Sequence, residues 1–148
     1  MSDDAADPLK LIALDADDLS VMSAHLQDAV LKVADVAWLP AEKRFALAVR
    51  RFDWESVPRG QHRRRLTALH FDRVLAVRST GIDKQLPDRV LSLLAIGFSE
   101  SDGPQGDVTL HFSEGAAIRL SVECIEAQMK DLGPVWEALA KPDHPDAP

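Results

Sequence analysis

The sequence predicts an α+β domain: a mostly antiparallel sheet of about seven strands, one N-terminal helix and one C-terminal helix. Three observations carry that expectation. From residue 31 to 122, apolar side chains recur at every second position in short runs broken by Pro, Gly and Asp clusters, the period of half-buried strands joined by turns. Near both ends of that stretch the apolar spacing becomes three and four, the period of an amphipathic helix. The chain has 148 residues, 46% apolar and 28% charged, which is one domain large enough to bury a core. Aromatic residues are only 5% and tyrosine is absent, so that core must be mostly Leu, Val, Ile and Ala.

The elements follow in order. "LKLIALD" is a short apolar run and predicts a strand. Asp15 or Asp17 then stands where a carboxylate accepts the free amides of a first helical turn. Leu19, Met22, Leu26 and Ala29 continue at helical spacing. "LKVADVAWLP" and "FALAVRRFDWE" flank "PAEKR" and predict a hairpin. "SVPRGQH", with Pro58 and Gly60, predicts a loop. "RRLTALHF" and "RVLAVRST" predict two strands or one long bent strand, and "GIDKQLPD" a second loop. "RVLSLLAIGF" is almost unbroken in apolar character and predicts a strand buried on both faces. "VTLHF" and "AAIRLSVE" flank "SEG" and predict a second hairpin. In "CIEAQMKDLGP", Ile125, Met129 and Leu132 form a helical stripe, with Gly133 as cap and Pro134 as stop. Seven antiparallel strands closed by such a helix would form a pleckstrin-homology-like barrel; an open sheet with helices on one face is the alternative.

The boundaries expected are a disordered acidic N-terminus at residues 1–7, a single domain at 8–139 and a flexible Pro-rich tail at 140–148. Cys124 is the single cysteine, so no intramolecular disulfide is expected. No run of apolar residues is long enough to span a bilayer as a helix, and the acidic start lacks the apolar segment of a signal peptide. A cytoplasmic location is expected, with no membrane partner.

The charge is unevenly placed. Residues 43–89 carry twelve basic and five acidic side chains, while residues 1–42 and 90–148 each carry a net −7, within a total of −7. Arg50, Arg51, Arg59, Arg63, Arg64 and Arg65, with Trp54 among them, are the candidate anion- or partner-binding residues. Guanidinium forks make bidentate bonds to phosphate and carboxylate oxygens. Strand alternation places Arg63 and Arg65 on one face and Arg64 on the other, and it separates Arg50 from Arg51 in the same way. The competing expectation is internal neutralisation, with the acidic ends folded back on the basic middle. A pI near 5.1 and the scarcity of aromatic rings weigh against a nucleic-acid partner.

The remaining candidates are weaker. His70 and His111 would form half a metal site, with Asp72 beside His70, if their strands were neighbours. Cys124 would be activated if it opened a helix; otherwise it is a small buried apolar residue. Asp53 and Glu55 share a strand face, as an acid/base pair would, although pairing with nearby arginines is the simpler role. No Gly-rich phosphate loop, GxSxG, CxxC or HExxH motif occurs, and neither a cofactor nor a metal is implied.

The segments "HLQDAVLKVADVAWLP", "EKRFALAVRRFDWE", "RRRLTALHFDRVLAV", "VLSLLAIGF" and "GAAIRLSVECIEAQMKDLGPVW" together resemble a family of uncharacterised alphaproteobacterial proteins, a domain of unknown function. Its landmarks here are "HLQDA", "RFDWE" and "ECIEA". The resemblance implies a single intracellular bacterial domain and assigns no catalytic residue. The expectation for function is therefore a non-catalytic cytoplasmic interaction module meeting a protein partner. The alternatives are a binder of an anion or phosphate-containing small ligand, including an enzyme without a recognisable motif, and a structural homo-oligomer.

Overall fold

Asp15 holds an extended backbone, and its carboxylate accepts the Asp18 amide at 2.8 Å, while the Asp18 carboxylate reaches back to the Leu14 amide at 3.1 Å. These bonds fix the start of α1 (Ala16–Leu26) and satisfy an amide with no partner inside the helix. The stripe Leu19, Met22 and Leu26 is fully buried, each side chain contributing roughly 1.5–3 kcal/mol by leaving water. The computed structural model describes residues 8–60 and 63–137. The terminal segments expected at 1–7 and 140–148 lie outside the described residues.

Ten strands follow the alternation: β1 (Lys10–Ala13), β2 (Ala29–Lys32), β3 (Val36–Leu39), β4 (Arg44–Phe52), β5 (Arg63–Phe71), β6 (Val74–Thr80), β7 (Val90–Asp102), β8 (Gln105–Phe112), β9 (Ala117–Val122) and β10 (Ala127–Glu137). They form one sheet in the order β1-β10-β5-β4-β2-β7-β8-β9-β6, with β3 paired to β4 beside β2. Every pairing is antiparallel. Inward residues from both ends of this order, such as Leu47, Leu69 and Met129 on one side and Val108, Leu110 and Leu120 on the other, belong to one core. The sheet therefore curls over itself, and α1 packs against β7 and β1. The Ser23 hydroxyl fastens the helix by accepting the Ile96 amide at 2.9 Å.

The expected architecture of about seven strands with two helices is corrected: the sheet has ten strands and, among the described residues, α1 is its one α-helix. The pleckstrin-homology-like barrel closed by a C-terminal helix falls with it, because the expected C-terminal helix is β10. Ile125 and Met129 are four residues apart, a spacing that satisfies both periods. The discriminating residues are Ala127, which is buried at 2% exposure, and Leu132, which is 44% exposed. Inward alternation over 125, 127, 129 and 131 wins because β10 fits between β1 and β5 and pairs with both. Pro134 is accommodated where the register with β5 shifts between Asp131 and Val135, an irregularity at which a ladder tolerates a missing amide. Cys124 consequently opens no helix; it is half-buried between β9 and β10.

Of the two readings of the stretch from Arg63 to Thr80, two strands holds, because the chain turns at Asp72–Arg73, where Arg73 adopts φ 62°, and β6 leaves β5 to pair with β9. Two smaller expectations change. β7 is buried on one face only: Leu91, Leu93 and Ile96 point inward, whereas Val90 and Leu94 are 58% and 42% exposed. The loop expected at "SVPRGQH" contains a 3-10 turn, Trp54–Arg59.

Candidate functional site

Along β4 the inward positions read Phe45, Leu47, Val49 and then Arg51; along β5, from the other end, Phe71, Leu69, Thr67 and Arg65; along β10, Ala127, Met129 and Asp131. All are buried. The core thus passes from apolar to ionic at one end of these neighbouring strands. Arg51 Nε and Nη2 donate to Asp131 Oδ1 and Oδ2, both at 2.8 Å. The Thr67 hydroxyl donates to Oδ1 and the Leu9 amide to Oδ2, each at 2.7 Å, so the carboxylate is saturated with donors. Arg65, cross-strand neighbour of Arg51, donates from Nε to Asp53 Oδ2 at 2.9 Å and lies 3.9 Å from Asp131. Two cations and two anions balance inside the protein. Burial pushes the Asp131 carboxyl up, but the Arg51 bonds, the Leu9 amide, the Thr67 hydroxyl and the Arg51 charge outweigh it and hold the group below the usual carboxylate range.

The other arginines point away from that cluster. Arg50 is exposed and lies 3.8 Å from Asp35. Arg64 donates to the Asp28 and Arg50 carbonyls at 3.2 and 3.1 Å, and its guanidinium sits 5.9 Å from the Phe52 ring centre. Burial lowers its pKa from the ordinary arginine value, with Asp28 opposing. Trp54 meets Phe52 edge-on at 4.6 Å and donates to the Gln27 carbonyl at 3.2 Å. Arg63 is half-buried at the start of β5, and Arg59 ends the 3-10 turn, its side chain lying outside the described residues. The sequence-predicted set therefore divides: Arg51 and Arg65 form an internal ion cluster, Arg64 and Trp54 meet Phe52 and backbone carbonyls just after α1, and Arg50 faces Asp35. With Arg51 and Arg65 buried, these five do not share one surface facing water.

His70 and His111 are not neighbours, since β4, β2 and β7 stand between their strands. His70 faces Asp72 instead, with Nδ1 3.1 Å from Oδ2 though off the line of a hydrogen bond. Asp72 is committed to Arg44, whose Nε donates to it at 2.7 Å. That hydrogen bond and the Asp72 charge raise the Arg44 pKa further.

A concave site lies elsewhere. β3 pairs with β4 and β6 with β9, and neither strand has a partner on its other edge among the described residues. Between these edges the curled sheet stays open, and a cleft of about 490 Å3 enters the core. Val36 and Trp38 of β3 and Val77 and Ser79 of β6 form its walls, and Phe45, Leu91 and Ile118 its floor. Residues 81–89 cross its mouth: Val33 and Ala34 donate to the Arg89 and Pro87 carbonyls at 3.0 and 2.9 Å. At the far end of the gap the Val74 amide donates to the Lys43 carbonyl at 2.9 Å, which ties β6 to the start of β4.

A family model described as a protein of unknown function, DUF2948, matches residues 9–144. The chain belongs to the DUF2948 family. No curated protein and no solved structure matched it. Sequence reasoning on this DUF2948 chain missed two features. Asp131 was hidden inside an expected helix; its signal is a lone carboxylate on the inward period of 125, 127 and 129. The cleft had no signal, because it arises from the divergence of β3 and β6, which are distant in sequence.

Proposed function

We propose that the protein is a non-catalytic binding module whose ligand seats in the cleft between β3 and β6. The observation that supports this reading is the cleft itself: about 490 Å3, predominantly apolar, with one hydroxyl and one amine, Ser79 and Lys84, among its polar lining. Volumes of 300–1,000 Å3 with an apolar lining and a few polar groups characterise small-molecule sites. The carboxylates and guanidinium groups that could move protons or hold phosphate are instead bonded to one another at the other end of β4 and β5, outside the cleft. We place the protein in the bacterial, alphaproteobacterial cytoplasm on the family resemblance and the single cysteine.

The test is binding of an apolar fluorescent dye such as anilinonaphthalene sulfonate to the folded protein, compared with Ser79→Phe, which fills the mouth from an exposed position. Saturable binding lost in the variant, with its melting temperature unchanged, supports the cleft. Binding that survives the substitution places the site elsewhere and overturns the reading.

A further inference from the structure

Resting on that reading, we infer that the cleft takes an amphipathic monoanion, with its hydrocarbon chain on the floor and a single acidic head group at Lys84. The polarity of the cavity is graded along its depth. Phe45, Leu91 and Ile118 on the floor are at most 4% exposed, whereas Ser79 and Lys84 are exposed. A chain of methylenes satisfies the inner wall, and a wholly apolar ligand would leave the mouth without a partner for its polar groups.

The charges of the loop across the mouth give the sign. Asp83 turns back on its own loop: its carboxylate accepts the Gln85 amide at 2.8 Å, and its carbonyl accepts the Leu86 amide at 3.0 Å. Asp88 lies 4.0 Å from Lys32. Arg89 donates to the Gly81 carbonyl at 2.6 Å and pairs with Glu114 at 3.3 Å. Lys84 has no ion pair or hydrogen bond among the described residues, and it lines the cavity. A lone ammonium is a point charge with rotatable donors and no fork geometry. It suits one negative charge, where a phosphate dianion favours bidentate guanidinium groups. The arginines that could supply forks, Arg51 and Arg65, are bonded to Asp131 and Asp53.

The experiment titrates the full chain with decanoate, decanol and decyltrimethylammonium by displacement of the dye, below their aggregation concentrations. Expected is decanoate binding about three- to fivefold more tightly than decanol, the size of a partly exposed charge contact, and the cation binding most weakly. Lys84→Met should remove the preference of acid over alcohol, with decanol still displacing the dye. Lys84 is exposed, so the variant should melt with the wild type. Decanol binding as tightly as decanoate in the wild type, or a preference that survives Lys84→Met, overturns the charge assignment while the cleft stands. Failure of all three to displace the dye overturns the cleft as their site.

Discussion

Arg51 and Asp131 lie eighty residues apart in the chain and face each other through two parallel hydrogen bonds of 2.8 Å, with side chains 0% and 1% exposed. The same carboxylate binds the Leu9 amide, and the Asp131 amide donates to the Leu9 carbonyl at 2.9 Å. One buried anion therefore joins β4, β5 and β10 to the segment that leads into β1.

Removing one partner of such a pair leaves a charge in the interior without its counterpart, at a cost of roughly 3–5 kcal/mol. Asp131→Ala should lower the unfolding free energy by that amount, read from the midpoint of urea denaturation. Arg51→Met should do the same. The double variant Arg51→Met, Asp131→Leu should recover part of the loss, because it removes the desolvation of both charges. Single variants within 1 kcal/mol of the wild type would show the pair to be energetically idle.

The Asp131 carboxyl is held low in the folded protein, while an unfolded Asp titrates near about 3.9. The unfolded chain thus binds the proton first on acidification. The stabilisation is fully present above about pH 4 and is lost as pH falls further through the folded value. Unfolding free energy should decline steeply below about pH 4 in the wild type. Asp131→Asn should start lower at neutral pH and decline less steeply, because no proton is taken up at that position. Parallel curves for the two proteins would remove Asp131 as the source of the slope.

Much of the fold was legible because local signals and tertiary packing agreed. The acids at Asp15 and Asp17 announced the start of α1, with Asp15 proving to be the cap, and the alternation of Phe45, Leu47 and Val49 announced β4. The failure at β10 has a definite cause: Ile125 and Met129 are separated by four, the one short spacing that serves both a helix and a strand. Gly133 and Pro134 then imitated a helix stop. Only the pairing with β1 and β5, set by contacts far along the chain, decides between them. The charge reading was legible in part. Alternation separated Arg50 from Arg51 and Arg64 from Arg65, and a pairing of Asp53 with nearby arginines was expected, but Asp131 lay inside an expected helix and no local pattern matched it to Arg51. The cleft was illegible for the same reason, since Trp38 and Val77 become neighbours only when the sheet curls.

Gly106 is required by close approach. A Cβ at this position would strike the Ser99 carbonyl and lie 2.6 Å from the Phe98 ring. Gly106→Ala must displace backbone of β7 as well as the ring, which costs about 1–3 kcal/mol by overpacking. Gly97 is its control on the neighbouring strand, since a Cβ there would meet nothing within 4 Å. Gly97→Ala should be neutral or slightly stabilising through the unfolded chain. Equal thermal unfolding of the two variants would contradict the packing at Gly106.

The strand at β10 can be tested without disturbing the core. Gln128 is half-buried on the outer face, opposite Ile12 of β1 and His70 of β5. In a helix, alanine is the best residue and valine is worse by roughly 0.5 kcal/mol. In a paired strand the order reverses, because a β-branched side chain packs against its cross-strand neighbours, here Ile12, over a range of about 1 kcal/mol. Gln128→Val should therefore be more stable than Gln128→Ala by a few tenths to about 1 kcal/mol in urea unfolding. The Val variant should lose that advantage when Ile12 is also changed to Ala, since the gain comes from the contact between the two strands. An Ala variant more stable than the Val variant would return residues 125–132 to the helix that their spacing first suggested.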